Sequence, residues 1–179
     1  MAVIEDQSRR TNIRLRGTAE SVSVEELSEY IKGLCGKIVK NCEESAWELD
    51  RVHRLPRPQY LSVDKPRDVI AKFHYPKSKE LLLQSARKEP SLPAPYKDVL
   101  IFADLSLLTI ARRREFAEFM KVLRDQKISY RCGYPTKLLI WGNGALHVIK
   151  EPEEARNKLK EWGMLTTQNG NSNKAEKKL

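Results

Sequence analysis

The chain has 179 residues, 40% of them hydrophobic, and its 33 Lys and Arg against 24 Asp and Glu give a formal net charge of +9. That is apolar enough to bury one core or two small ones, which excludes a disordered chain, and the cationic excess points to a polyanionic partner, nucleic acid or an acidic membrane. No apolar run approaches the roughly 20 residues that cross a bilayer and the N-terminus shows no signal-peptide core, so a soluble cytosolic or nuclear protein without a membrane partner is expected. Cys35, Cys42 and Cys132 are an odd set without CxxC spacing, which argues for reduced thiols and against a zinc module.

Residues 1–10 are polar and read as a flexible arm or as the end of an upstream coiled coil. Asn12–Gly17 alternates polar and apolar residues, predicting a strand with Ile13 and Leu15 inside and Arg14 and Arg16 outside. Ser23 and Glu26 form a capping-box pattern that opens a helix through Leu34 to a stop near Gly36. Trp47–Leu55 and Asp68–Tyr75 read as further strands, separated by a loop containing Pro56, Pro58 and Pro66. In the first of these Arg51 and His53 share a face. In the second Val69, Ala71 and Phe73 face one way and Ile70, Lys72 and His74 the other. Pro76 starts a second helix that ends near Pro90, and Val99–Ala103 is an apolar run of strand length. The order βαββαβ predicts an α+β fold of the ferredoxin-like type used by RNA-recognition-motif domains, over residues 11–104.

A small α/β domain of helix, three short strands and helix is expected over residues 105–163. Ser106 caps a helix running to about Gln126, in which Leu108, Phe116, Phe119, Met120, Val122 and Leu123 share a face at about 100° per residue. Arg113 falls at the edge of that face and Arg112 on its apolar side, where it snorkels or touches another domain. Ile128–Tyr134 and Lys137–Trp141 read as strands, Gly142-Asn143-Gly144 as a hairpin turn into a strand over Ala145–Ile149, and Pro152 as the start of a last helix through Trp162. Residues 164–179 are polar and expected to be disordered.

RNA-recognition motifs stack bases on aromatic residues of their first and third strands. Here those positions hold Arg14, Asp68 and Ile70, so the usual platform is missing. A basic face of Arg14, Arg16, Arg51 and Lys72 stands in its place; it suits phosphate contacts, and equally a solvated charged face. Arg87-Lys88, at the end of the second helix, are either a second basic contact or cations that favour the macrodipole, and Arg112-Arg113-Arg114 are either a contact or a solvated charge run on a helix. Arg131, Tyr134 and Lys137 interleave cation, aromatic and cation, with Tyr134 either stacking on a base or filling the core. His53, His74 and His147 are scattered and no nucleophile elbow, clustered metal-binding carboxylates or phosphate-cradling glycine loop is present, so no catalytic residue, metal or cofactor is assigned.

Five stretches together resemble the nucleic-acid-binding protein encoded by the first reading frame of long interspersed element (LINE) retrotransposons and its LINE-type transposase domain-containing relatives. They are Arg9–Gly17, Pro66–Phe73, Ala103–Ser106, Arg113–Phe116 and Tyr134–Leu138, in the family's order and spacing. The resemblance implies an RNA-recognition-motif domain followed by a C-terminal domain, which together grip single-stranded RNA, including the element's own transcript, and single-stranded DNA. It also implies a nucleic acid chaperone role in cytoplasmic ribonucleoprotein particles, with the nucleus as a second location, and trimerisation through an upstream coiled coil that this chain lacks. It matches Arg14, Arg16, Arg67, Lys72, Arg87, Arg113, Arg114, Arg131, Tyr134 and Lys137 to binding residues. Lys88-Glu89 reverses the family's order after Arg87, Leu100 replaces a basic residue, and Arg112 matches an Ala. The rival readings are a protein-interaction adaptor on a ferredoxin-like fold and, last, a nucleic-acid enzyme.

Overall fold

Asn12–Arg16 forms β1, and its alternation sends Ile13 and Leu15 wholly out of solvent while Arg16 stays exposed. The computed structural model describes residues 2–89, 91–134 and 136–165, and its chain divides into two units, one through Ser106 and one from Leu107. In the first unit β1 lies between β3 (Val69–Phe73) and β4 (Leu100–Ala103), and β2 (Leu49–Arg54) flanks β3, giving the order β2-β3-β1-β4 with every pair antiparallel. Two helices, α2 (Leu27–Ile38) and α3 (Pro76–Ala86), cover one face. Leu27, Ile31, Leu34, Cys35 and Ile38 recur at helical spacing in α2, and they pack with Ile13, Leu15, Val69, Ala71, Phe73 and Leu82 in one core. Truncating any of the fully buried aliphatic side chains to Ala costs about 2–5 kcal/mol on the usual scale, a large share of a small unit's stability.

The capping box forms, Ser23 N–H donating to Glu26 Oε2 at 3.0 Å and Glu26 N–H to Ser23 Oγ at 3.3 Å. Regular helix begins only at Leu27, and it runs two residues beyond the expected stop at Gly36, because Ile38 completes the apolar face. Ahead of β1, residues 2–8 form a helix, α1 (Ala2–Ser8), so the segment expected as a flexible arm or coiled-coil end is helical there. Asp6, nearly buried, accepts the Ser106 N–H at 2.7 Å. Asp104 accepts from Arg9 Nη1 at 3.1 Å and Asn12 Nδ2 at 3.0 Å.

The loop from β1 to α2 is held by Arg54. Its side chain is 4% exposed, and it donates to the carbonyls of Thr18, Ala19, Val22 and Arg67. Glu20, in the same loop, receives the backbone N–H of Arg67 at 2.8 Å and the Arg67 guanidinium at 3.0 and 3.1 Å, with Arg57 at 3.3 Å. Those bonds hold the Glu20 carboxyl down at about 2, the Arg67 side chain being the largest cause and its backbone N–H the next.

The second unit contains α4 (Leu107–Arg114), α5 (Ala117–Asp125), the antiparallel sheet β5-β6-β7 (Ser129–Gly133, Lys137–Gly142, Ala145–Ile149) and α6 (Pro152–Glu161). Phe116, Phe119, Leu123, Leu138, Ile140, Ile149, Ala155 and Leu159 form its core. The single helix expected from Ser106 to Gln126 is two. Glu115 and Phe116 donate to carbonyls only three residues back, which tightens the chain and resets the helical phase before α5. Leu108 is consequently 49% exposed, and Arg112 is exposed too, so its placement on an apolar stripe was a product of continuous phase. Asn143 and Gly144 both take positive φ, as the hairpin turn requires. Met164 and Leu165, assigned from sequence to the tail, pack on the core; the rest of that tail, 166–179, lies outside the described residues.

Gly17 sits at φ +90, and a Cβ there would collide with the Asp98 carbonyl oxygen, whereas one on Gly36 in α2 would meet nothing within 4 Å. Gly17→Ala is therefore expected to lose at least about 1 kcal/mol, and Gly36→Ala to gain about 0.5–1 kcal/mol, in denaturant unfolding followed by circular dichroism. Glu20 supplies a pH-dependent term. Its folded carboxyl titrates at about 2 against an ordinary 4.5, so its contribution is complete above pH 4.5 and disappears as pH falls to about 2. Wild type should exceed Glu20→Gln in unfolding midpoint at neutral pH, with the gap closing through that window and shrinking with added salt, because the carboxylate is partly open to water.

Candidate nucleic-acid interface

The face of the first sheet that α2 and α3 leave uncovered is built from three cross-strand rows. Register aligns His53, Ile70, Arg14 and Phe102 in one row. Arg51, Lys72 and Asn12 make the next, with Asp104 beyond, whose N–H reaches the Asn12 carbonyl. Leu55, Asp68, Arg16 and Leu100 make the third, Leu55 N–H meeting the Asp68 carbonyl. Four predicted cations thus stand together on one surface: Arg14, Arg16, Arg51 and Lys72.

They are not equally available. Asp68 accepts from Arg14 Nε at 2.6 Å and lies 3.4 Å from the Arg16 guanidinium. Lys72 Nζ is 3.8 Å from Asp50, whose other oxygen meets His74 Nδ1 at 2.8 Å and raises the pKa of that imidazole through the hydrogen bond. Arg51 is exposed and makes no ion pair among the described residues. Arg67 is placed off the sheet, engaged with Glu20. A phosphate approaching Arg14 or Arg67 must compete with a carboxylate already in place, while Arg51 offers its full charge.

The surface does carry an aromatic ring, on a strand where the sequence reading did not look. Phe102 is 42% exposed on β4 with the Arg16 guanidinium 5.6 Å from its centroid. The run Leu100-Ile101-Phe102-Ala103 is apolar throughout, which hides its alternation. His53 shares the row with Phe102, and burial followed by the nearby Arg51 lowers its pKa and favours the neutral ring. Beside them a polar cavity of about 600 Å³ opens between α1 and the sheet, lined by Arg9, Asn12, Arg51, His53, Ile70 and Lys72 among others. Arg87 and Lys88 are exposed at the end of α3, and Arg87 borders a groove with Leu100, Ile101 and Phe102, which puts it beside the edge strand β4.

In the second unit Arg113, Arg131, Tyr134 and Lys137 gather around the β5–β6 end. Arg113 Nη2 donates to the Gly133 carbonyl at 3.4 Å, and Gly133 pairs with Lys137. Tyr134 is 49% exposed, which removes it from the core. Arg114 and Arg131 are exposed, and neither they nor Lys137 make an ion pair among the described residues. Cys35 is buried, and desolvation pushes its thiol up to about 12, so it offers no nucleophile at neutral pH. No group of three or more His, Cys, Asp or Glu among the described residues is arranged to hold a metal ion, and no helix among them is long and apolar enough to cross a membrane.

No family model matches the chain. It is 28% identical over 155 residues to LINE-1 type transposase domain-containing protein 1 of Mus musculus, covering 84% of this chain and 19% of that protein. The Homo sapiens protein of the same name is 28% identical over 151 residues, covering 83% and 18%. The LINE-1 retrotransposable element ORF1 protein of Mus musculus is 24% identical over 157 residues, covering 83% of this chain and 43% of that protein. The chain therefore spans about a fifth of the first two relatives and less than half of the third, and most of its own length is similar to LINE-1 proteins.

Proposed function

We propose that this chain is a non-catalytic, sequence-tolerant binder of single-stranded RNA and DNA, its first unit a ferredoxin-like RNA-recognition motif and its second a basic C-terminal domain. The observation that carries the reading is that each unit exposes, on its sheet or at the sheet's edge, cations that make no ion pair among the described residues together with a half-exposed aromatic ring. In the first unit Arg87 borders the same groove as Phe102, and Arg51 stands at the opposite, β2 edge of the open face; in the second Arg131 and Lys137 stand near Tyr134. Cations without carboxylate partners are what phosphates need, and half-exposed rings accept any base. The element order and the strand order β2-β3-β1-β4 support the ferredoxin-like assignment. The LINE-1 relatives support a retrotransposon-associated, nucleic-acid-binding role, and the reading extends it to a ribonucleoprotein particle, cytoplasmic with the nucleus as a second location. There the protein acts as a nucleic acid chaperone on the element's transcript, trimerised through a coiled coil supplied by a longer protein.

Fluorescence anisotropy with labelled single strands of mixed sequence, read across a salt series, tests the proposal. Log affinity should fall linearly with log salt at about −0.7 per phosphate neutralised, and Lys137→Ala or Arg131→Ala should weaken all sequences alike. Absence of binding at physiological salt would favour a protein-interaction adaptor instead, and cleavage of the strand with magnesium would favour an enzyme. Asp68→Asn should act in the opposite sense. By releasing Arg14 and Arg16 it should tighten binding several-fold at low salt and steepen the salt slope by about 0.7 for each additional phosphate engaged.

A further inference from the structure

The outer face of the second unit's sheet presents large side chains that its core does not use. Register places Ser129, Trp141 and Leu146 in one row and Arg131, Leu139 and Val148 in the next. Trp141 is 46% exposed, Leu146 50% and Val148 48%, while the opposite side of the same strands supplies Leu138, Ile140 and Ile149 to the core. The two other tryptophans are differently used: Trp47 lies edge-on to Phe73 and Trp162 edge-on to His147. Trp141 has no such ring partner among the described residues. It borders a shallow depression of about 310 Å³ shared with Leu146 and the hairpin turn. A contiguous apolar patch rimmed by charge marks a binding surface.

Charge identifies the occupant. The face formed by positions 129, 131, 133, 137, 139, 141, 146 and 148 includes Arg131 and Lys137 and no carboxylate. Lys137 and Trp141 lie four residues apart on β6, about 13 Å along the strand. A second copy of this chain would bring cation against cation here. A single-stranded nucleic acid supplies flat apolar bases and anionic phosphates, matching both components of the surface.

We propose that Trp141 is a base-stacking platform, and that the outer face of β5–β7 takes unpaired bases while Arg131 and Lys137 hold the adjoining phosphates. This rests on the reading of the chain as a single-strand binder and assigns the base contact to a residue outside the predicted set. It separates two contributions by chemistry, bases on Trp141 and phosphates on the cations, and the experiment reads them apart.

Affinities of the whole chain are measured for a labelled oligonucleotide of about 20 residues and for an abasic strand of the same length and charge. Wild type should bind the base-bearing strand more tightly. Trp141→Ala should weaken that binding about tenfold while leaving the abasic strand unchanged, and Trp141→Tyr should recover most of the loss. Circular dichroism shows whether each variant is folded, and Trp141→Tyr, which keeps a ring on the strand, decides the point should Trp141→Ala fail to fold. Equal loss on both strands, or no loss on either, overturns the assignment. So does a wild-type dimer in sedimentation that Trp141→Ala dissolves. A wild-type chain that binds neither strand defeats the single-strand reading itself, a result distinct from failure of the Trp141 arm alone.

Discussion

Arg54 keeps a full positive charge almost out of water, and the first unit is arranged around satisfying it. A guanidinium cannot shed its proton inside a protein, so burial demands that its five N–H donors find acceptors. The carbonyls of Thr18, Ala19, Val22 and Arg67 supply them, with Glu20 at 3.6 Å to balance the charge. Those carbonyls belong to irregular chain with no strand beside it, so the arginine provides what a neighbouring strand would otherwise provide. The path from β1 into α2 is thereby defined, and the apolar side of α2 meets the sheet in the register that lets Leu27, Ile31 and Leu34 close the core.

The two sheets use similar residue types to opposite electrostatic effect. On the first, Asp68 and Asp50 stand among the cations, and the close Arg14–Asp68 bond makes that surface partly self-neutralised. On the second, Arg131 and Lys137 make no ion pair among the described residues and share their face with apolar side chains. Net charge of the whole chain is blind to this difference, because a cation paired at 2.6 Å and one standing free count alike. The second unit, the smaller of the two, presents the simpler surface to an anion.

What could be read from sequence followed the strength of local pattern. β1 alternates cleanly, the Gly142–Gly144 turn places β7, and a proline opens α3 and α6; β1, β3, β7 and α6 fall within two residues of their expected bounds, while α3 ends at Ala86, four residues before Pro90. The break after α4 was hidden because Phe116, Phe119, Met120 and Leu123 continue a helical spacing, and the tight bonds of Glu115 and Phe116 leave no compositional mark. Phe102 was hidden by an apolar run in which inside and outside positions carry the same kind of residue. Arg54 escaped for a different reason: it shares its side of β2 with Val52 and pairs with Val69, the helix-covered side, where an arginine is not sought. The cations Arg14, Arg16, Arg51 and Lys72 were legible as a face by parity alone. The carboxylate partners of Arg14, Arg16 and Lys72, Asp68 and Asp50, lie on or beside neighbouring strands far off in sequence, and no short-range spacing announces them.

The bond between Asp6 and Ser106 joins the entry and the exit of the first unit, and β1 and β4 begin and end beside each other, Ile13 pairing with Ala103. Traction applied between those two points would act across the strand pair and not along it. Strands loaded in that direction separate one hydrogen bond at a time, as a zip opens, and do not slide with all their bonds resisting together. The first unit is in this sense a mechanically soft link, stable at rest and compliant under load.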